Sequence, residues 1–328
     1  MATLVTGGAG YIGSHMVLRL LDDGIDTVVL DNLTTGFDWA VDQRATFIEG
    51  DVADIPFVSK LIKDHKVEQI VHFAGSIIVP ESVENPLKYY SNNTAATRNL
   101  LQAAVEGEVE RFVFSSTAAV YGMPGLGNVS EKTMLDPLSP YGRSKLMSEW
   151  MLADVAVAHD INYGVLRYFN VAGADPKGRS GQSTAGATHL IKVATQTALG
   201  MRDYMNIFGT DFETPDGTGV RDYIHVSDLV DAHALLLGHL KINKSNHIMN
   251  CGYGRGFSVR QVVDVVREVS GVDFEVREAG RRPGDPASVV ASSDLIRAEL
   301  NWQPRLDDLK IIVASALEWE SRLQRRNR

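Results

Sequence analysis

The sequence predicts an α/β fold: a doubly wound parallel sheet followed by a smaller, mixed α/β C-terminal lobe. Three observations carry this expectation. Short β-branched runs alternate with longer helical patterns through the first half, which is the signature of βαβ units. The runs are apolar almost throughout, as in strands covered on both faces. A glycine triplet joins the first strand to the first helix, where such sheets meet their ligands.

Taken in order, residues 3–6 (TLVT) form the first strand. Gly7, Gly10 and Gly13 then turn the chain into a helix over 12–22, with Ile12, Met16, Leu20 and Leu21 on one face. A second strand, 27–31, ends at Asp31. Further strands are expected at 46–49, 69–73, 111–116 and 163–167, with helices over 55–65, 87–105 and 141–159. The polar, glycine-rich run 173–186 reads as a long loop. It sets a soft boundary between a first domain over 1–173 and a lobe over 174–328, some segments of which return to the first. Helices are expected there over 187–200, 227–240, 258–270 and 307–325, with strands near 206 and 274.

Composition narrows the function classes. The chain has 328 residues and a net charge of −9, without a block of Lys or Arg. That balance argues against nucleic acid or an anionic membrane as the main partner. Size scaling predicts a folded surface of about 13,000 Å², ample for a full core. The single cysteine, Cys251, precludes an intrachain disulfide and a cysteine-based zinc site. No His and carboxylate spacing suits a metal, so none is expected. With no basic leader and no apolar run of membrane length, the expectation is a cytoplasmic protein.

The glycine spacing is G-x-x-G-x-x-G, one residue longer than the usual dinucleotide fingerprint. Glycines there let the backbone approach a pyrophosphate, which the following helix N-terminus stabilises. Asp31, 18 residues beyond Gly13, would accept hydrogen bonds from the adenosine ribose. A 2′-phosphate would meet a like charge, so NAD is favoured over NADP. Asp51 follows another strand, and HFAG at 72–75 brings backbone close to the cofactor.

SPYGRSK at 139–145 opens a helical pattern, with Tyr141 and Lys145 four apart on one face. A phenol is a weak base at neutral pH, but a nearby ammonium and a cationic nicotinamide lower its pKa. Thr117 ends the strand RFVFSST and is expected at the same carboxyl edge of the sheet. Tyr141, Lys145 and Thr117 are therefore the candidate catalytic groups. His72 reads as a strand residue, His225 as a residue before a helix cap, and Cys251 as buried filler.

Together these motifs resemble the extended short-chain dehydrogenase/reductases, and within them the UDP-glucose 4-epimerases. The similarity covers nearly the whole chain. It rests on TGGAGYIGSH (6–15), LDNLTTG (30–36), EGDV (49–52), HFAG (72–75), ESVENPLKYYSNN (81–93) and FSSTAAVYG (114–122). Further on it rests on SPYGRSK (139–145), LRYFNVAGA (166–174), DGTGVRDYIHVSDL (216–229) and RRPGD (281–285). The resemblance implies a Rossmann-type sheet and NAD contacts from Gly7, Gly10, Tyr11, Ile12 and Gly13. It adds Asp31, Asn32, Leu33, Thr34, Thr35, Gly36, Asp51, Val52, Phe73, Ala74, Gly75 and Asn92. Thr117, Tyr141, Lys145 and Phe169 complete that set. A UDP-hexose is implied at Thr117, Tyr141, Asn170, His189, Leu190, Asn206, Ile207, Phe208, Arg221, Arg282, Asp285 and Val289. Two departures stand out: Ile77 replaces a common lysine near the cofactor, and His189-Leu190 replaces a frequent Asn-Leu pair.

The implied activity is reversible 4-epimerisation of UDP-glucose and UDP-galactose, as in galactose metabolism, through a 4-keto sugar with bound NAD. A homodimer through helices near 87–105 and 141–159 is the family expectation. Val289, where restricted members carry a tyrosine, points to UDP-GlcNAc and UDP-GalNAc as further substrates. Two alternatives stand beside this reading. One is another NAD-dependent nucleotide-sugar enzyme, such as a dehydratase, although Ala118 and Ala119 leave no acid to expel water. The other is a non-catalytic NAD sensor, which would need none of the proton chemistry of Thr117, Tyr141 and Lys145.

Overall fold

From the N-terminus, β1 (Ala2–Thr6), α1 (Tyr11–Asp22), β2 (Asp26–Asp31), β3 (Thr46–Glu49), α2 (Ile55–His65) and β4 (Val67–His72) alternate strand and helix. Next come α3 (Val79–Glu84), α4 (Pro86–Tyr89), a π-helical turn over Tyr90–Ala95 and α5 (Ala96–Glu106). β5 (Arg111–Thr117), a 3₁₀ turn over Ala118–Tyr121, α6 (Pro140–Ala158) and β6 (Asn162–Tyr168) follow. The remainder holds β7 (Asn170–Ala172), α7 (Leu190–Ala198), β8 (Tyr204–Phe208), β9 (Val220–His225), α8 (Val226–Asn243) and β10 (His247–Cys251). The chain ends with β11 (Gly256–Ser258), α9 (Val259–Ser270), β12 (Glu275–Ala279), β13 (Ser288–Val289), α10 (Asp294–Leu300) and α11 (Leu309–Arg326). These elements belong to a computed structural model that describes residues 2–326 apart from Leu126 and Pro283.

Among the described residues, seven strands form a parallel sheet in the order β3-β2-β1-β4-β5-β6-β10. Strand order reverses between β1 and β4, and a ligand crevice opens at such a point. Alternation along each strand explains the two apolar faces. Leu4, Leu30, Ile70, Phe112 and Val165 pack with Leu61, Leu100 and Leu152 of α2, α5 and α6. Val5, Val29, Val71, Val113 and Leu166 pack with Met16 and Leu236 of α1 and α8, in a core that continues into the C-terminal lobe. In that lobe β9 pairs in parallel with β7 and β13 and antiparallel with β11, while β8 pairs in parallel with β12. The surface is 14,456 Å², near the scaling expectation.

Local chemistry sets the element ends. Ser139 caps α6 by accepting the Gly142 N–H at 3.1 Å, and Pro140 supplies a first helical residue that needs no donor. Ser258 and Gln261 make a reciprocal capping box on α9. The helix expected over 87–105 is not continuous: α4 and α5 are separated by the π-helical turn, which carries Asn92 and Asn93. Strands β9 and β10 fall where the sequence pattern suggested none, and β10 joins the main sheet beside β6.

Candidate active site

The glycine turn is fixed by crowding. Gly7 has φ +72°, and a Cβ there would lie 2.6 Å from the Ala74 nitrogen; one on Gly13 would collide with the Gly7 carbonyl. Gly10 gives α1 no side-chain cap, so no side chain of the N-cap residue competes for the first N–H groups of the helix. Such a cradle fits a dinucleotide pyrophosphate, with the helix dipole favouring the anion. Asp31 is buried and accepts Ala9 N–H and Leu33 N–H, both at 2.9 Å. It therefore ties the glycine turn to the Asn32–Gly36 loop, besides offering acceptors to a ribose. Asn32 holds Thr34 N–H at 3.2 Å, and Phe37 N–H reaches back to the Ala9 carbonyl at 3.0 Å. Thr35 lines a small cleft with Gly10 and Tyr11. Asp51 accepts Ala53 N–H at 2.8 Å beside the buried Val52. Phe73 N–H meets the Thr6 carbonyl at 3.0 Å, placing Phe73, Ala74 and Gly75 against the glycine turn.

Thr117 ends β5, Tyr141 opens α6, and Lys145 lies one turn further in; all three are buried. Burial raises the Tyr141 pKa, and a hydrogen bond with the Thr117 hydroxyl pulls it the other way. Burial lowers Lys145 to about 8, opposed by the Glu149 carboxylate. Lys145 Nζ donates to the Ser115 carbonyl at 3.0 Å and lies 4.8 Å from the Phe114 ring centroid. Of the two cations expected to lower that pKa, an ammonium and a cationic nicotinamide, the Lys145 ammonium is not among the groups that shift Tyr141 here. The phenol of the chain by itself stays protonated, because desolvation penalises the phenolate.

A second group converges from the C-terminal lobe. Asn170 hydrogen-bonds Tyr223, whose phenol burial pushes up to about 12 against the Arg221 guanidinium, Asn170 and Arg282. Arg221 is itself lowered by burial, with Asp285 opposing. Arg282 donates to Asp285 at 2.7 Å and lies 5.1 Å from the Phe208 ring centroid. Pro283, within the same motif, lies outside the described residues. Asn206, Ile207 and Phe208 lie on β8, with Ile207 buried and Phe208 exposed. His189 and Leu190 line a cleft with Tyr11, Asn170, Gly173 and Tyr223, and Tyr11 donates to the Gly173 carbonyl at 2.7 Å. The His189 ring stays open to that cleft, though the surrounding wall and Lys192 lower its pKa. Val289 is paired with Arg221 across β13 and β9 and packs with Phe169. Ile12 packs against the main core, and Ile77 is 48% exposed.

Sequence reasoning missed two kinds of residue. Asn92 is exposed and donates to Ser76 Oγ at 3.1 Å, whereas its buried neighbour Asn93 holds the turn after β4. Asn93 accepts Ser76 N–H at 2.7 Å and donates to Ser144 Oγ at 3.0 Å, joining that turn to α6. The doubled asparagine of YYSNN was the available signal. Glu149 and Arg167, a buried ion pair at 2.6 Å, left only the spacing of Glu149 from Lys145 as a clue. Among the described residues no group of three His, Cys, Asp or Glu is arranged for a metal.

Comparison with known proteins agrees with this geometry. The model of the NAD dependent epimerase/dehydratase family matches residues 3–252. A UDP-glucose 4-epimerase of Azospirillum brasilense is 53% identical over 98% of this chain and 92% of its own. The UDP-Glc/GlcNAc 4-epimerase structure from Campylobacter jejuni is 47% identical, with TM-score 0.86 over 98% of this chain and 99% of that one. The UDP-glucose 4-epimerase from Bifidobacterium longum, solved with NAD+ and UDP, is 35% identical, with TM-score 0.93 over 98% of each chain. With a glycine cradle at the sheet's switch point and a Thr-Tyr-Lys group beside it, this chain belongs to the NAD-dependent epimerase/dehydratase family.

Proposed function

We propose that the chain interconverts UDP-glucose and UDP-galactose by epimerisation at C4 through a 4-keto sugar, with NAD bound throughout. The observation that supports this reading is the link from cradle to catalytic group: Gly7 lies against the backbone of Ala74, and a Cβ on the next residue, Gly75, would lie 3.7 Å from Lys145 Nζ. NAD supplies the acceptor, and then the donor, of the C4 hydride. Tyr141 takes the 4-hydroxyl proton once a positive charge arrives beside it, and Thr117 bridges phenol and sugar oxygen. Lys145 holds the nicotinamide ribose. Arg221 and Arg282 grip the diphosphate, a task suited to guanidinium. Firm nucleotide contacts and loose hexose contacts let the keto sugar present its other face.

The remaining assignments follow from the same reading. Residues 1–173 form the NAD-binding body and 174–328 mainly the UDP-sugar lobe, with α8 and β10 returning to the first. Leu87, Met147 and Trp150 are exposed apolar residues on α4 and α6, and they suit a homodimer face there. No helix among the described residues is long and apolar enough to cross a membrane, and we place the protein in the cytoplasm. The experiment is incubation of the purified protein with UDP-galactose, without added NAD, and separation of the UDP-sugars. UDP-glucose should appear; its absence from protein shown to carry NAD would sink the reading.

Val289 favours a second substrate pair. A valine in place of a tyrosine leaves several heavy atoms of space, comparable to an acetamido group. UDP-GlcNAc and UDP-GalNAc should therefore interconvert at the same site.

A further inference from the structure

One buried polar chain runs from α6 to the strand carrying Val289, and none of its side chains is among those assigned to substrate or cofactor. It begins at Glu149, two turns beyond Tyr141 on α6. The Glu149 carboxylate accepts the Ser116 hydroxyl at 2.5 Å and both arms of Arg167, Nε at 3.0 Å and Nη2 at 2.6 Å. Arg167, on β6, gives its Nη1 to the Tyr121 hydroxyl oxygen at 3.1 Å. Tyr121 donates onward to Asn250 Oδ1 at 2.7 Å. Asn250, on β10, donates its Nδ2 to the Val129 carbonyl at 2.8 Å and its N–H to Glu131 Oε1 at 2.7 Å. Val129 is in turn clamped to the strand after Val289: its N–H meets the Val290 carbonyl, and its carbonyl the Ser292 N–H, each at 2.7 Å.

Apolar side chains would hold these elements together at less desolvation cost, since a buried ion pair contributes little net stability against a well-packed hydrophobic replacement. What a fully satisfied chain of bonds adds is a fixed spacing. Tyr121 sits at its joint. The Tyr121 ring packs in one cluster with Leu146, Phe169 and Val289, and its residue closes the 3₁₀ turn that starts beside Thr117.

We propose that Tyr121 is a positioning residue whose hydroxyl sets the distance between α6, bearing Tyr141 and Lys145, and the Val289 strand against which the sugar rests. This rests on the epimerase reading above. Its consequence concerns the 4-keto sugar, which must turn between two walls contributed by distant parts of the chain. When their spacing relaxes, the keto sugar leaves before the hydride returns to C4. The sugar then departs oxidised by two electrons, its hydride stays on the nicotinamide, and its hydroxyl proton remains with Tyr141.

The test uses NAD-loaded Tyr121→Phe, which keeps the ring and removes the joint. Enzyme-bound NADH fluorescence should climb during turnover with UDP-galactose to several times the parent level. The kcat should fall about tenfold, as a small misplacement of reacting groups predicts, while calorimetric UDP binding stays parent-like. Fluorescence and kcat equal to the parent, whatever the melting midpoint does, would overturn the proposal. Asn250→Leu removes the bonds on the other side of the joint and should show the same NADH build-up, so a misfolded Tyr121→Phe leaves the question decidable. No build-up in a folded Asn250→Leu also overturns it. A parent that fails to convert UDP-galactose would instead sink the epimerase reading itself.

Discussion

The ammonium of Lys145 reaches past its own helix to the carbonyl oxygen of Ser115, 3.0 Å away. A charge held in this way is buried against the carboxyl half of β5, the strand that ends at Thr117, and it is costly to keep without a ligand. The first of the expectations below follows from that cost.

Lys145 in the folded, ligand-free chain is lowered to about 8 by burial. The unfolded chain binds the extra proton up to a lysine's usual value of about 10.4, so stability rises with pH across that window. Below about pH 8 the folded chain carries the full penalty. Lys145→Met should therefore melt above the ligand-free parent at pH 7, with the gap shrinking by pH 9.5. Melting midpoints of both proteins at the two pH values check this, and a gap independent of pH contradicts it.

Tyr141 should show no phenolate near neutral pH until NAD binds. The difference in ultraviolet absorbance between the parent and Tyr141→Phe, titrated with and without NAD, measures it. In turnover, Tyr141→Phe should keep its fold and its NAD but lose on the order of 10²-fold or more in kcat, the usual worth of a positioned base. Near-normal epimerisation by this variant would remove Tyr141 from its role.

Val289→Tyr should suppress conversion of UDP-GalNAc while leaving UDP-galactose turnover within a few-fold. Val289 is buried beside Phe169, so the added ring must project into the sugar space or displace that cluster. Competing the two substrates in one reaction and separating the products gives the ratio directly. Equal loss on both sugars would point to misfolding rather than a gate.

Acid should destabilise the chain through its buried histidines. His72 bonds Thr6 Oγ1 at 2.7 Å and Thr97 Oγ1 at 2.9 Å, and burial, with Lys145 assisting, lowers it to about 3. The unfolded imidazole takes a proton near pH 6.5, so stability present above that value is lost as pH falls toward 3. His72→Gln should flatten the fall in melting midpoint between pH 6.5 and 4. An unchanged slope would place the acid sensitivity elsewhere.

The apolar runs marked β1, β2, β4, β5 and β6 because those strands are largely buried on both faces and bounded by turn chemistry, whereas β3, at the sheet edge, is only half-buried. Thr117, Tyr141 and Lys145 were legible for a local reason: strand end, proline-led helix start and a four-residue spacing all lie in the one-dimensional string. β10 was not, since HIMNC carries polar residues at His247 and Asn250 that only make sense once their partners are known. The Glu149–Arg167–Tyr121–Asn250 chain has the same character. Its bonded neighbours stand 18, 46 and 129 residues apart in the string yet share bonds in space. The Asn92 and Asn93 pair shows a finer loss, because the π-helical turn decides which of two neighbours is buried.

The place of β10 beside β6 has a consequence for how the protein is made. A ribosome delivers the first six strands of the sheet long before residue 247, and β6 then ends the growing sheet as a bare edge. Unpaired strand edges recruit other chains, so the nascent protein passes through an interval of self-association risk while more than seventy further residues are translated. Truncation at the loop after residue 173 would make that interval permanent and yield an aggregating fragment rather than a free-standing nucleotide binder.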